Sequence, residues 1–285
     1  MSRLSHNLYP ALPQSEIKEK FSKIFNKVFK LEGKQFINVG YKEAYFSSRQ
    51  NSRGCSFRLN DMIEILEFIL DNIFVKFGNK IYKQVIGVPI GSDSGADIAN
   101  LLLFSYESEY IEKVSKQSIT LARKFNMCYR YIDDLFVGNF ANFHEHIYKI
   151  YPRELEINPE SNNSKDIAYL DLRIRLENEE IDFSIYDKRD DFRFEIVNFP
   201  FIDSCIPKKS ALGVFYSQLI RFGRISSKIV AFKTKIKGLV DKLRTQGYKI
   251  EDLRRLSLRF FKERREIVSK FDIANGNDFL KVVLH

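Results

Sequence analysis

Two adjacent acidic residues, Asp133 and Asp134, lie between aromatic and apolar residues in the segment MCYRYIDDLFVG, which spans residues 127–138. The flanking Tyr, Phe, Ile and Val residues favour extended chain, and Asp is common in tight turns. The segment therefore predicts a hairpin whose turn carries both carboxylates. Two like charges repel each other there, so the pair is either a solvated turn or a cation site. Oxygen ligands of this kind suit Mg²⁺ or Mn²⁺.

A glycine-rich segment, QVIGVPIGSDSGADIANLLL, begins about fifty residues before the paired acids. Gly91 and Ser92 lie just before the predicted start of a helix, where free backbone N–H groups and the helix dipole favour an anion. Glycine also lets another molecule approach the backbone closely. The segment is either an ordinary turn with a helix cap or a surface over which a nucleotide or template base moves.

Positive charge is concentrated in the last third of the chain. The whole sequence has a formal net charge of +9. Residues 201–285 contain 19 Lys and Arg against 8 Asp and Glu, whereas the first 200 residues contain 27 against 29. A basic region of this kind suits a polyanionic partner such as nucleic acid. The alternative is a solvated, lysine-rich helical face.

The order of elements predicts an α+β fold without internal repeats. Helical periodicity is found at residues 15–30, 60–78, 92–116 and 141–151, and again from residue 207 onwards. Strand-like segments are found at 80–91, 127–138, 154–158 and 167–189, the last as two strands joined at the polar turn ENEE. We expect an antiparallel sheet with the YIDD hairpin at its centre and the 92–116 helix packed on one face.

Several classes of protein are disfavoured by composition. No run of apolar residues is long enough to span a membrane, and the start of the chain lacks the apolar core of a signal peptide. The three cysteines are odd in number and far apart, which argues against a disulfide framework or a zinc site. We therefore expect an intracellular protein, nuclear or cytoplasmic, with no membrane partner.

Three blocks, GVPIGSDSGADIANLLLFSYE, YRYIDDLFVG and YLDLRI with IDFSIYDKR, resemble in sequence and order the reverse transcriptases of Penelope-like retroelements. Those polymerases are related to the telomerase catalytic subunit. The resemblance runs from NLYPALP through LRTQGYKIEDL, which is nearly the whole chain. It implies a polymerase palm at residues 1–200 with an antiparallel sheet and packed helices, followed by an α-helical, basic thumb at residues 201–285.

The resemblance also implies roles for individual residues. The YIDD match makes Asp133 and Asp134 the catalytic, metal-binding pair, with Mg²⁺ or Mn²⁺ as the cofactor. The residues implied to bind nucleotide or template are Gly91, Ser92, Asn100 and Tyr131. The residues implied to bind primer or duplex are Leu170, Lys188, Arg221, Arg224 and Lys228. The implied partners are an RNA template, a DNA primer or RNA–DNA hybrid, and deoxynucleoside triphosphates.

The sequence departs from this family at its start. These polymerases carry a further metal-binding Asp on the first palm strand, but MSRLSHN stands at that place and no Asp occurs before Asp61. The fingers region is also missing, so we expect a fragment with an incomplete metal site. Three functions remain open. One is an RNA-directed DNA polymerase that extends a primer by two-metal nucleotidyl transfer, and the second is a catalytically inactive nucleic-acid-binding remnant. The third is a generic α/β interaction protein, which the three ordered blocks disfavour.

Overall fold

Helices and short antiparallel strands alternate along the chain, as the sequence predicts. A computed structural model describes residues 2–4, 8–88, 91, 93–155, 157–159, 165–194 and 196–284. The α-helices are α1 Leu8–Ala11, α2 Gln14–Glu32, α3 Leu59–Asp71, α4 Gly95–Gln117, α5 Ile119–Lys124, α6 His144–Ile150, α7 Lys208–Ile225, α8 Ile229–Thr245, α9 Ile250–Glu263, α10 Arg265–Val268 and α11 Gly276–Leu284. The strands are β1 Ser2–Leu4, β2 Phe36–Val39, β3 Ala44–Ser47, β4 Cys55–Phe57, β5 Phe74–Phe77, β6 Lys80–Lys83, β7 Cys128–Tyr131, β8 Asp134–Val137, β9 Ile157–Pro159, β10 Asp166–Tyr169, β11 Leu172–Glu177 and β12 Glu180–Ile185.

The chain divides into two units, residues 1–160 and 161–285. The predicted boundary between palm and thumb, at residues 200 and 201, stays a prediction. The compact second unit begins earlier in the sequence, because strands β10, β11 and β12 form a sheet of their own and β12 packs against helices α7 and α8. The names palm and thumb for the two parts of the chain stay predictions.

The first unit contains the predicted YIDD hairpin in a four-stranded antiparallel sheet of order β7-β8-β1-β9. Strand β1, from the segment that departs from the family, pairs directly with β8. The hairpin is therefore at one end of the sheet and not at its centre, because no described strand pairs with the other edge of β7. Buried residues of α4, such as Leu102 and Leu103, share a core with Leu135 of β8.

The helix predicted at residues 60–78 is too long. Helix α3 ends at Asp71, and the following residues form β5, which pairs with β6. The reason is composition, because Val75 is β-branched and Phe74 and Phe77 are aromatic, and all three favour strands. Gly78, with φ of 60°, then makes the turn between the two strands.

The second unit has its own core, formed by aromatic and aliphatic residues of α7, α8, α9 and α11. Leu219 of α7 and Phe232 and Ile236 of α8 recur at helical spacing, and all three are fully buried. The aromatic centre contains Phe279, whose ring lies 5.6 Å from that of Phe260 at an interplanar angle of 16°. No helix of the described chain is long and apolar enough to cross a membrane.

We predict that Phe279→Ala lowers the free energy of unfolding of the second unit by about 3–5 kcal/mol, because it leaves a cavity among stacked rings. Phe279 is fully buried, whereas Phe194 of the same unit is 66% exposed. Phe194→Ala is the matched control and should change the free energy of unfolding by less than about 0.5 kcal/mol. Urea denaturation measures both. Equal losses for the two variants would contradict the described core.

Candidate functional site

The turn between β7 and β8 contains only two residues, Ile132 and Asp133, because Tyr131 pairs with Asp134 across the hairpin. Ile132 has φ of 52°, in the left-handed region. A β-branched residue rarely adopts this conformation, which costs about 1–2 kcal/mol in an L-amino acid. Backbone strain of this kind is concentrated at functional sites in proteins. The tightness of the turn places the two aspartates next to each other at the tip of the hairpin.

The two faces of the hairpin have different characters. Tyr131 lies opposite Asp134, and Tyr129 lies opposite Phe136, so these four side chains share one face. Both tyrosines are exposed. The other face includes Leu135, which is buried in the core. Asp134 therefore lies on the aromatic, accessible face, beside the predicted nucleotide-binding residue Tyr131.

Tyr9 of α1 is a site residue that the sequence did not single out. Burial, followed by the charges of Asp133 and Tyr131, raises the pKa of the Tyr9 hydroxyl. The Asp133 carboxylate is thus close enough to act on Tyr9, and the hydroxyl stays protonated at neutral pH. The structure therefore brings one residue of the NLYPALP segment to the turn that carries the two aspartates.

Arg130 holds the hairpin to helix α4 and is the second residue that the sequence missed. Its side chain is only 7% exposed. Its Nε donates a hydrogen bond to Glu107 Oε1, and its Nη2 donates to Glu107 Oε2 at 3.2 Å. Its Nη1 donates to the carbonyl oxygen of Ile132 at 3.2 Å, inside the strained turn. One guanidinium thus connects the turn to the helix.

Tyr151 completes this network by donating a hydrogen bond to Glu107 Oε1. Burial and the Glu107 carboxylate raise the pKa of the Tyr151 hydroxyl. Burial and the same carboxylate raise the pKa of the Cys128 thiol to about 11, so Cys128 is an inert strand residue at neutral pH. The sequence of β7 could have indicated this network, because Cys128 and Arg130 alternate with two exposed tyrosines and therefore lie on the opposite face of the strand.

Asn100, predicted to bind nucleotide or template, lies at the base of the hairpin. Its Oδ1 accepts a hydrogen bond from Arg130 Nη1 at 2.7 Å. The residue itself is exposed on the first turns of α4. Its amide is therefore oriented by Arg130, and its predicted contact with substrate stays a prediction.

The glycine-rich loop lies against α1. Gly87, with φ of 85°, donates a backbone hydrogen bond to Leu12, and Val88 donates one to Tyr9. A Cβ at Gly87 would lie 2.6 Å from the carbonyl oxygen of Tyr9, so glycine is required there for packing. Gly91, with φ of 90°, is exposed, and a Cβ there would meet nothing within 4 Å. Ser92 lies outside the described residues.

The predicted primer-binding residues all belong to the second unit. Leu170 and Asp171 form the two-residue turn between β10 and β11, and Leu170 has φ of 55°. This turn repeats the arrangement of Ile132 and Asp133, an aliphatic residue at positive φ followed by Asp. Arg221 Nε donates to Asp171 at 3.0 Å, so helix α7 is fixed to this turn.

The remaining predicted cations differ in their partners. Lys228 lies 3.6 Å from Asp182. Lys188 and Arg224 are exposed, and neither side chain has a carboxylate partner among the described residues. Arg221 and Lys228 are thus partly neutralised by the protein itself, whereas Arg224 keeps its full charge for an external anion.

Asp133 and Asp134 have the type of ligand atoms that Mg²⁺ prefers. Two adjacent carboxylates supply hard oxygen ligands, and Mg²⁺ in enzymes is often held by one or two carboxylates together with substrate phosphates. In the described part of the chain, no group of three or more His, Cys, Asp and Glu side chains is arranged to hold a metal. The aspartate pair is therefore the candidate, and it offers two carboxylates and not three.

We predict that Arg130→Met lowers the free energy of unfolding of the first unit by about 3 kcal/mol, because it leaves the Glu107 carboxylate without its partner. Lys18→Met is the control, since Lys18 pairs with Asp71 on the surface of the same unit and should contribute less than about 1 kcal/mol. Adding Glu107→Met to Arg130→Met should restore part of the loss. Urea denaturation that finds the two single variants equally stable would contradict the bracing role of Arg130.

Comparison with known proteins yields one structural similarity. No protein-family model matches the chain, and no curated protein matches it. The structure is similar to a telomerase from Candida albicans, solved in complex with a TWJ fragment of telomeric RNA, with a TM-score of 0.48 and 13% sequence identity. The similarity covers 99% of this chain and 41% of that chain, so this chain spans less than half the length of that structure.

Proposed function

We propose that the chain is an RNA-directed DNA polymerase domain, a reverse transcriptase of the Penelope-like type, with a palm and a thumb. The observation that carries the proposal is the strained two-residue turn of Ile132 and Asp133, followed directly by Asp134 at the start of β8. This turn lies in an antiparallel sheet, next to β1 and braced on α4 by Arg130. The ordered sequence motifs support the same assignment.

In this function, Asp133 and Asp134 hold Mg²⁺ or Mn²⁺. When bound, the ion supplies the acidity that activates a primer hydroxyl and the charge that stabilises the leaving pyrophosphate. Arg130 positions the turn through the Ile132 carbonyl. The charge of Asp133 contributes to the raised pKa of Tyr9, and the protonated Tyr9 hydroxyl is proposed to donate a hydrogen bond to a bound substrate.

The nucleotide and the template are expected on the same side of the first unit. Tyr131 presents an exposed ring next to Asp134, which suits stacking or ribose contact. Gly91 has open space above its backbone, so a base or phosphate can approach it. Asn100 is pre-oriented by Arg130. Ser92 is proposed to contribute on sequence resemblance alone.

The second unit is proposed to hold the primer or the RNA–DNA hybrid through its backbone. The exposed Leu170 lies in the turn between β10 and β11, and the exposed Lys188 lies just after β12. Arg221, Arg224 and Lys228 lie on α7 and at the start of α8. Such cations contact phosphates and carry no sequence preference of their own.

A second candidate function is a catalytically inactive nucleic-acid-binding protein derived from such a polymerase. One observation favours it, namely that the described residues provide two carboxylates at the turn and no third metal ligand. A two-ion mechanism relies on carboxylates that hold both ions about 4 Å apart, so the pair alone would support weak catalysis or none. In both candidate functions the second unit binds nucleic acid. They differ only in whether the chain catalyses nucleotidyl transfer.

Primer extension tests the proposal. With an oligo(dT) primer on poly(rA), dTTP and Mn²⁺, we expect the parent chain to extend the primer. The double variant Asp133→Asn, Asp134→Asn should abolish extension. The matched control is a second pair of adjacent aspartates, Asp190 and Asp191, which already bind Lys235 and Tyr186. Changing that pair to Asn should leave extension and calorimetric Mn²⁺ binding intact.

The outcomes separate the two candidates. Failure of the parent to extend the primer while it still binds the hybrid would reject the polymerase and support the inactive binding protein. Equal Mn²⁺ binding by the parent and the Asp133 and Asp134 variant would reject the metal site itself.

We predict that Arg224→Ala weakens duplex binding equally for all sequences and reduces the slope of log affinity against log salt by about 0.9. Arg221→Ala should reduce the slope less, because Asp171 already compensates that guanidinium. Lys281→Ala is the control, as this cation on α11 pairs with Asp278. Fluorescence anisotropy over a salt series gives the slopes, and a slope unchanged in Arg224→Ala would rule out α7 as a duplex contact.

A further inference from the structure

The hairpin formed by β5 and β6 is exposed on both faces. Every residue of the two strands is exposed, including Phe77 at 81%, Phe74 at 59% and Tyr82 at 48%. The hairpin is held at its base, where Ile73 is buried and Gln84 donates a backbone hydrogen bond to it. A two-stranded hairpin alone is marginally stable in water. An exposed surface with this many apolar and aromatic side chains indicates a binding partner.

Aromatic rings and lysines alternate on this hairpin. Strand pairing places Phe77 opposite Lys80 on one face, next to Tyr82 and Val75. The other face carries Phe74, Ile81, Lys76 and Lys83. Each face thus combines an aromatic ring with at least one cation.

The hairpin carries an excess of positive charge. Between Asp71 and Asp93 the sequence contains three lysines and no acidic residue. Within the described residues, neither Lys76 nor Lys80 has a carboxylate at ion-pair distance. Asp71 pairs with Lys18 and also interacts with Lys83, so one of the three lysines is partly compensated and the other two leave the segment positive.

We propose that the β5–β6 hairpin binds single-stranded nucleic acid, with bases stacked on its aromatic rings and phosphates beside its lysines. Exposed rings next to cations are the features by which proteins bind single strands without sequence preference. A duplex does not fit, because its bases are already stacked on one another. This contact lies outside the proposed catalytic turn and does not depend on its metal.

Other partners fit the hairpin less well. The buried centres of protein interfaces are depleted in lysine, whereas this hairpin has a lysine on each face. Membrane-surface elements segregate apolar and charged residues onto opposite faces, and here both kinds share each face. The combination of stacking rings and unpaired cations therefore selects a single-stranded polyanion.

The test uses the full chain and a fluorescein-labelled oligouridylate in the presence of EDTA, read by fluorescence anisotropy. We expect Phe77→Ala to weaken binding about tenfold and Phe77→Tyr, which keeps a ring, to bind like the parent. Lys80→Gln should reduce the salt slope by about 0.7. The matched control is Phe68→Ala, because Phe68 is a phenylalanine on α3 that is 69% exposed and has no neighbouring lysines in the sequence.

Two further measurements isolate the hairpin from the rest of the chain. Photocrosslinking with a thiouridine-substituted oligouridylate should label the peptide that contains Phe77 and Tyr82. The Asp133→Asn and Asp134→Asn variant should bind the single strand like the parent, so loss of the polymerase proposal would leave this result unchanged. Equal affinities for Phe77→Ala and Phe68→Ala would overturn the inference. Self-association of the parent that disappears in Phe77→Ala would also overturn it, by assigning the surface to a protein contact.

Discussion

The geometry of the candidate site depends on one buried cation, the guanidinium of Arg130. A charge that is 93% removed from solvent is unfavourable unless several groups neutralise and hydrogen-bond it. Glu107 supplies the counter-charge, Tyr151 fixes Glu107, and the Ile132 carbonyl brings the turn into the same network. Helix α4 and strand β7 therefore have one relative position in which all these groups are satisfied. The orientation of the aspartate turn follows from that requirement.

This arrangement keeps two charged groups of the hairpin apart, the Arg130 guanidinium and the Asp134 carboxylate. The inward face binds its arginine to an internal carboxylate, and the outward face carries the tyrosines and Asp134. An arginine pointing outward would neutralise the aspartates and would oppose the divalent cation that is proposed to bind there. The alternation of side chains along a strand keeps the two apart with no additional element. The second unit uses the opposite solution, since Asp171 in the equivalent turn is bound directly by Arg221.

How much the sequence could predict is visible in these two turns. The sequence predicted a hairpin whose turn carries both Asp133 and Asp134. The hairpin is confirmed, but its turn consists of Ile132 and Asp133, and Asp134 is the first residue of β8. The turn at residues 170 and 171, in the segment YLDL, was not predicted. Leucine is not a residue type that indicates a positive φ, so nothing in the sequence indicated a turn there. The partners of Arg130 and Arg221 were also invisible, since pairing between residues 23 and 50 positions apart depends on packing. The hydrophobic stripes of α7 and α8 were predictable because they repeat with the helical period.

The positive φ angles of Ile132 and Leu170 have a consequence for protein engineering. The turn between β11 and β12 uses Asn178 at φ of 50°, a residue type that tolerates this conformation, whereas the other two turns retain aliphatic side chains. Replacement of Ile132 by asparagine or glycine would relieve strain and raise the melting temperature. Directed evolution for thermal tolerance would therefore select such substitutions early. Both turns therefore hold backbone strain that a single substitution could release.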